Sequence, residues 1–290
     1  MSLSIFTSAS SMASTNALNK SNSMLSTAME RLGTGKRINS AADDAAGLQI
    51  ATRLQGQTNG MAVAQRNISD ATALLQTSEG AFDEVSNIMY RMKDLATQAA
   101  NDTNTTDDRD AINAEMNDLN AELKNIMDNT SYAGEKLFGA SGKFANTLNF
   151  QIGSSSGETM EINLGSELGA GASGLFTGSG FGFGDWNSAS GISITNASDA
   201  KALMGQLETA LNDVGSVRSK MGASINRLGH TASNLANMKD NTELALSNIQ
   251  DADFASEASS MTRNQMLAQT SMSMLKQSNS MSSMVMSLLG

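Results

Sequence analysis

Apolar residues recur at every seventh position through residues 48–100, and this repeat restricts the folds open to the chain. A sustained heptad predicts a long helix with a coiled-coil seam. At 1.5 Å per residue the helix would be about 70 Å long, so one compact domain could not cover it alone. The 290 residues include no proline, which favours uninterrupted helices. The repeat consists of Leu54, Met61, Ile68, Leu75, Phe82, Met89 and Ala96, with Ala64, Ala71, Val85, Met92 and Ala99 three residues further on.

Heptad rows near both ends of the chain predict two more helices, residues 1–33 and 251–289. Asp251 or Asp253 would cap the second. Serine, asparagine and threonine dominate the other faces and favour helices poorly, so we expect both helices to become ordered only when packed or assembled. The first helix carries the row Leu18, Leu25 and Leu32. The second carries Phe254, Met261, Ala268, Leu275 and Leu289 in one row and Met266, Met274, Met281, Met284 and Leu288 in another, which indicates burial on more than one side.

The middle of the chain predicts two further helices and a hairpin. Apolar spacing over 112–126 indicates a short amphipathic helix, and "NTSYAG" would end it. Alternating residues over 146–164 predict a β-hairpin. Residues 165–198 are rich in glycine and serine and are interpreted as a short surface insert, with a flexible linker as the alternative. A last heptad row holds Leu207, Val214, Met221, Leu228 and Leu235 and predicts a helix over 199–238.

The sequence therefore predicts a mainly α fold of long antiparallel coiled-coil rods, with a small β-hairpin and a short Gly/Ser-rich insert. The two chain ends would pair, and the middle of the chain would lie at the far tip. We divide the chain into the N-terminal helix with its following break, the first rod with the hairpin, the insert, the second rod and the C-terminal helix. Their ranges are 1–47, 48–164, 165–198, 199–250 and 251–290.

The break at 30–47, "ERLGTGKRINSAADDAAG", could be a nucleotide site or a joint. A phosphate loop needs a first glycine five residues before the Gly-Lys pair and a hydroxyl after it. Here Glu30 and Arg37 occupy those positions, so the nucleotide site is rejected.

No other motif carries a catalytic, metal or cofactor site. Gly169, Gly171 and Gly174 match G-x-G-x-x-G, but the following residues do not open a helix. His230 is the only histidine and is interpreted as a residue on a helix face, because it has no cysteine or second histidine to ligate with. Asp251, Asp253 and Glu257 lack the glycine and the further ligands of a calcium loop. We interpret the methionine rows as packing rather than as soft-metal ligands.

Charge and hydropathy argue against nucleic-acid binding, a membrane span and a secretory signal peptide. A net charge of −10 argues against nucleic acid as a partner. No stretch reaches the ~18 consecutive apolar residues of a membrane span. The start, "MSLSIFTSASSMAST", lacks the basic and apolar regions of a secretory signal peptide, so an extracellular protein of this sequence would need another export route.

Several long motifs follow one another in a fixed order along the chain. They begin with "ERLGTGKRINSAADDAAGLQIATRL" and continue through "QTSEGAFDEV", "MYRMKDLATQAAN" and "NTSYAGEKLF". They resume at "VRSKMGASINRL", "NIQDADFASEAS" and "VMSLLG". Together they resemble bacterial flagellin, over residues 1–164 and about 199–290.

The resemblance implies a non-enzymatic subunit of the flagellar filament, used for swimming. The terminal helices would pack in the filament core, and the inner helices would form an outer shell. The break would be a spoke between these layers, which favours the joint over the nucleotide site. The core contacts would be Leu18, Leu25, Leu32, Phe254, Met261, Leu275, Leu288 and Leu289, and the spoke residues Gly33, Gly35, Lys36, Arg37, Asp43 and Asp44.

The resemblance also implies partners and a location. The chain would polymerise with itself, and an export chaperone would bind its C-terminal helix. Hook-associated and cap proteins would be further partners. The filament is extracellular, reached through the flagellar type III secretion system without a signal peptide. The insert is a plausible glycan carrier.

A Toll-like receptor of innate immunity recognises the shell of this family. The matching residues here are Arg91, Leu95, Gln98, Ile112 and Glu115. Two positions differ from the common pattern. Leu119 stands where arginine is common, and Ser282 stands where proline is frequent, which would let the last helix continue.

Three alternatives accompany the filament hypothesis. A hook–filament junction protein shares the terminal helices but does not form long filaments. An enzyme on a flagellin scaffold would need a site in the insert. An immune ligand or adhesin role would be secondary to assembly.

Overall fold

The described part of the chain contains five α-helices, one short 3₁₀ helix (Lys143–Ala145) and two small antiparallel β pairs. The structure, a computed structural model, describes residues 9–139, 142–164 and 192–289. The helices are α1 (Ala9–Thr34), α2 (Ala45–Ala99), α3 (Thr106–Asn129), α4 (Ala197–Gln250) and α5 (Phe254–Leu289). The strands are β1 (Ser131–Tyr132), β2 (Glu135–Lys136), β3 (Leu148–Gln151) and β4 (Thr159–Ile162). The mainly α prediction is confirmed, and most of the predicted insert lies outside the described residues.

The chain divides into two units, which we call the terminal unit and the middle unit. The terminal unit comprises residues 1–58 and 240–290, and the middle unit comprises 59–239.

The middle unit has a continuous hydrophobic core built by α2, α3, α4 and the β3–β4 hairpin. The predicted heptad row of α2 is buried from Met61 to Ala96, and the row of α4 is buried from Leu207 to Leu235. Phe82 is fully buried, and its ring meets the edge of Phe138 at a centroid distance of 5.0 Å. The heptad pattern therefore identifies this core correctly.

The two β pairs differ in how well their sequences predict them. The predicted hairpin is confirmed as β3–β4, in which Phe150 pairs with Met160. The shorter β1–β2 pair lies in the segment predicted only to end α3. Its turn residues Ala133 and Gly134 have φ values of 53° and 83°, and two positive values in succession suit a tight hairpin turn.

Paired side-chain amides on α3 hold the last, extended part of the predicted insert. Ile194 in this part is only 2% exposed, so it lies in the core and the surface prediction is wrong here. Asn113 donates through Nδ2 to the carbonyl of Ile194 and accepts the amide of Ile194 on Oδ1. Asn117, one turn later, makes the same pair of bonds with Ile192. This ladder satisfies the backbone of a segment that has no strand partner among the described residues.

The terminal unit contains α1, α5, the break and the adjoining ends of α2 and α4. Asp253, one of the two predicted caps, is confirmed, since it accepts the amides of Ala255 and Ser256, and α5 therefore begins at Phe254 and not at 251. α4 continues to Gln250, where the predicted second rod (199–250) ends, although its heptad row indicated a helix only to 238. The heptad lapses at Thr242, but no glycine or proline interrupts residues 239–250.

Candidate assembly interface

α1 and α5 pack along a heptad seam whose most buried residues are small. Ser21, Ala28, Ala268 and Ser278 are all less than 9% exposed. The predicted core residues Leu18, Leu25, Leu32, Met261 and Leu275 are half-buried beside them. Sequence reasoning missed the two serines. The available signal was their position, three residues beyond Leu18 and Leu275 in the same heptads.

Polar contacts fix this seam at both ends. Ser11 Oγ donates to Ser278 Oγ at 3.0 Å and to Asn279 Oδ1 at 3.2 Å. At the other end, Arg31 Nη1 donates to Glu257 Oε1 at 2.9 Å. The two charged side chains are only 29% and 17% exposed, so solvent screens this ion pair less than a surface pair.

The outer faces of α1 and α5 expose many large apolar side chains. Leu267, Met274 and Met281 recur every seven residues along α5 and are between 48% and 60% exposed. They repeat the period of the buried seam on a face that no helix covers among the described residues. The other members of this set are Met12, Met24, Met29, Phe254, Met266, Met272 and Met284. The side chains of Leu288 and Leu289 lie outside the described part.

The break forms a short backbone joint between the end of α1 and the end of α4. Gly35 has φ +72°, a conformation that favours glycine, whereas Gly33 lies within α1. Lys36 forms an antiparallel bridge with Asp251, and Ala252 donates its amide to the Gly35 carbonyl at 3.0 Å. The Lys36 side chain is exposed.

Arg37 closes the C-terminus of α4. Its amide donates to the carbonyl of Gln250 at 2.6 Å, and its Nη2 donates to the carbonyl of Ile249 at 2.8 Å. The last carbonyls of a helix have no partner within the helix, and a cation there also complements the helix dipole. Sequence reasoning placed Arg37 at the joint without this role.

The two aspartates of the break organise the start of α2. Asp43 accepts the amides of Ser40 and Asn39 and the Ser40 hydroxyl, and these bonds hold the pKa of its carboxyl below the usual range. Asp44 accepts the amide of Gly47 at 2.9 Å. A Cβ on Gly47 would collide with the Asp44 carboxylate and the Ile38 side chain, so glycine is required there.

The five candidate receptor residues lie on two adjoining helix faces, at two depths. Arg91 on α2 donates from Nε and Nη2 to Glu115 Oε1 on α3, at 3.0 and 2.6 Å, and both side chains are exposed. Gln98 is exposed as well. Leu95 and Ile112 are only 3% and 6% exposed and belong to the core. Leu119 is half-buried and packs against that core.

The remaining motifs have structural positions. His230 lies on α4 and lines an apolar cavity of about 310 Å³ with Met61, Ile152 and Leu235. Within the described ranges there is no group of three histidine, cysteine or acidic side chains that could hold a metal. None of the helices described is long and apolar enough to cross a membrane. α5 continues through Ser282, as predicted from the absence of proline there.

Comparison with known proteins identifies the family. The bacterial flagellin N-terminal helical region matches residues 5–143, and the bacterial flagellin C-terminal helical region matches residues 204–289. Flagellin A from Vibrio anguillarum is 34% identical over 382 aligned positions that cover both chains completely. A flagellin from Halalkalibacterium halodurans is 37% identical over 262 residues, 90% of each chain.

A solved structure shares the fold. The putative flagellar hook-associated protein from Vibrio parahaemolyticus aligns with a TM-score of 0.57 over 72% of this chain and all of that chain. Its identity of 16% supports likeness of fold alone. The two family regions and the full-length relatives establish more. The chain belongs to the bacterial flagellin family, and it is a non-enzymatic structural subunit that polymerises into the extracellular flagellar filament used for motility.

Proposed function

We propose that the exposed faces of α1 and α5 are the surfaces through which copies of this chain pack in the filament core. The observation that carries this proposal is the row Leu267, Met274 and Met281, which continues the heptad period outside the seam. A second helix supplied by a neighbouring copy would complete that row, as in a multi-stranded coiled coil.

The energetics support assembly over a role as a free monomer. Fully burying a methionine or leucine side chain contributes about 1.5–3 kcal/mol. Association costs about 4–15 kcal/mol in lost rigid-body freedom. Several side chains of this size, repeated at every contact, can therefore outweigh the cost, whereas one or two could not.

The proposed core residues divide into two groups. Leu18, Leu25, Leu32, Met261 and Leu275 hold α1 against α5 within one copy, since they line the seam. Phe254, which is 59% exposed, and the exposed methionines would contact neighbouring copies. Leu288 and Leu289 remain proposed core contacts. Residues 48–164 and 199–250 are proposed to form the shell, and the insert is proposed to face solvent up to Ile192, because Ile194 is buried in the middle core.

The spoke is proposed to act by internal stiffness and through the exposed side chain of Lys36. Arg37, Asp43 and Asp44 donate or accept within their own chain, which would fix the joint. The Lys36 side chain is exposed and is the spoke residue best placed to meet another copy.

Further partners follow from the filament role. We propose export through the flagellar type III secretion system without a signal peptide. An export chaperone would cover the apolar face of α5 before assembly. The same face would meet hook-associated proteins at the base of the filament and cap proteins at its tip.

Recognition by a Toll-like receptor is proposed for the face that carries Arg91, Gln98 and Glu115. The buried Leu95 and Ile112 would support that face from below, since they hold α2 against α3. Replacing Arg91 with alanine should weaken signalling by soluble monomer and leave filaments intact. Unchanged signalling would contradict this assignment.

Seeded growth tests the core proposal. Purified chain would be added to short filament fragments and its elongation followed by electron microscopy, beside a variant that lacks residues 251–290. We expect the full chain to elongate the seeds and the truncated chain to remain monomeric with an unchanged middle unit.

Two outcomes would contradict the proposal. Equal elongation by both chains would show that α5 is not the polymer contact. A full chain that never elongates seeds under salting-out conditions would favour the hook–filament junction role instead.

A further inference from the structure

A groove between α1 and α5 brings two cations together. Lys20 on α1 and Arg263 on α5 line a cavity of about 480 Å³. Its remaining walls are uncharged and are formed by Ala17, Ser21, Met24, Ser260, Asn264, Leu267 and Ser271. Among the described residues, no carboxylate lines this groove.

The charges on the two helices do not balance. α1 and α5 contain four cations, Lys20, Arg31, Arg263 and Lys276, and two carboxylates, Glu30 and Glu257. Arg31 and Glu257 pair with each other. The ion pairs of the described residues include none for Lys20, Arg263 or Glu30. Glu30 is exposed.

Packing these two helices in a filament core would remove their excess positive charge from water. A charge removed from water without a partner costs several kcal/mol. Lys20 cannot reach the Glu30 of its own copy, because the two residues are ten positions and so about 15 Å apart along α1. Since Glu257 is already paired with Arg31, α1 and α5 of one copy offer Lys20 no carboxylate within reach, and a neighbouring copy could supply one.

The candidates for that counter-charge are few in the terminal unit. Asp43, Asp44 and Asp253 accept backbone amides of their own chain, and Asp251 accepts the Ser247 hydroxyl. Asp240 and Glu243 lie on α4 and not on the two core helices. Glu257 is held by Arg31. Glu30 is the carboxylate of α1 and α5 that remains available to a neighbouring copy.

We propose that the Lys20–Arg263 groove receives the Glu30 carboxylate of a second copy and so fixes the axial register between core helices. The inference rests on the core packing proposed above. The apolar rows alone specify register weakly, because sliding by one heptad places methionine against methionine again. A carboxylate between two cations has one favourable position in each repeat, which is how charged positions select register in coiled coils.

Charge reversal tests the pairing with the full-length chain. Lys20→Glu combined with Arg263→Glu should raise the critical concentration for seeded growth by about 30-fold or more, as should Glu30→Lys, because each leaves unpaired charges in the core. The triple variant carrying all three changes should recover growth. Lys276→Glu is the matched control on α5 and should change growth far less. Circular dichroism of each monomer would verify that the helices remain.

Cross-linking gives a second, independent readout on the unmodified chain. A carbodiimide couples the Lys20 amine to a carboxylate in direct contact, forming an amide with loss of water to the reagent. In filaments mixed from ¹⁴N and ¹⁵N copies, a Lys20–Glu30 cross-link should join peptides of opposite label. Its absence from filaments, or growth of the reversed variants equal to that of the unaltered chain, would overturn the pairing while leaving the core proposal standing. Failure of the unaltered chain to elongate seeds would instead reject the core proposal.

Discussion

The terminal and middle units share a heptad period but differ in how much of it they bury. In the middle unit the apolar rows of α2 and α4 are almost completely hidden, with Leu75, Phe82 and Met221 at 0% exposure. In the terminal unit the residues that recur at the same spacing are half-buried, and Met274 is 60% exposed. A heptad therefore predicts a seam, but its burial depends on how many elements surround it.

The number of packed elements explains the difference. Three helices and a hairpin surround the middle core, so each row meets apolar atoms on several sides. Among the described residues, α1 and α5 pack mainly against each other, and a two-helix seam hides a narrow stripe. The most buried residues of that seam are alanine and serine, which let the helices approach closely but contribute little apolar area.

Removing one large side chain from each unit tests most directly whether the two units differ in burial. Phe82→Ala should lower the free energy of unfolding of the monomer by about 3–5 kcal/mol, because it removes a fully buried ring that contacts Phe138. Met281→Ala, its control in the terminal unit, should change the same quantity by less than about 0.5 kcal/mol. Urea unfolding followed by circular dichroism measures both. Similar losses in the two variants would mean that the terminal unit is already packed in the monomer.

The reverse experiment targets assembly. Met274→Gln with Met281→Gln keeps good helix formers but removes apolar area from the exposed row. We expect monomer stability to stay nearly constant and polymerisation to lose about 2–4 kcal/mol, which raises the critical concentration roughly 30- to 1,000-fold. Sedimentation of filaments at a series of concentrations gives this value. Gln265→Met on the same helix is a useful contrast, since it should not impair growth.

A smaller effect concerns the polar clamp in the middle unit. Asn117→Ala removes two hydrogen bonds to Ile192. The backbone amide and carbonyl of Ile192 then lose this partner. We expect a loss of about 1–3 kcal/mol in the free energy of unfolding and faster hydrogen exchange at the Ile192 amide. Exchange at Ile194, which Asn113 holds, should change less. Equal acceleration at both amides would show that the clamp opens as one unit.

The sequence predicts these features unequally, for physical reasons. Burial at Phe82 and Leu228 follows from the heptad, because the period alone places them on the inner face. The clamp by Asn113 and Asn117 was not predictable in this way, since its partners are 75 to 81 residues distant and asparagine has no periodic signature. The closure of α4 by Arg37 is missed for the same reason. The motifs of the family located the joint, but only the contacts explain which residues stiffen it.

Lowering the pH should produce the smallest effects on stability. The aspartates with lowered pKa values belong to different units, so their responses distinguish the two units. Thr105 bonds hold the pKa of Asp108 below its ordinary value of 3.8, through the Thr105 hydroxyl first and its amide second. Bonds from the Thr195 hydroxyl and amide lower the pKa of Asp199 in the same sense. Both carboxylates lie in the middle unit, whereas Asp43 is the corresponding group of the terminal unit.

The direction in which stability changes with pH follows from these lowered pKa values. A carboxyl whose folded pKa is lowered contributes stability above 3.8, its value when unfolded, and that contribution disappears as the pH falls through the lower folded value. Between neutral pH and about 5 these three groups should therefore leave stability unchanged, and the loss should begin near 3.8 and continue below it. Asp108→Asn and Asp199→Asn should reduce the loss of stability of the middle unit at acidic pH. Asp43→Asn should reduce this loss only for probes at the start of α2. NMR titration of the three carboxyl groups provides the check, and a midpoint at or above 3.8 for Asp108 would contradict the role of the Thr105 cap.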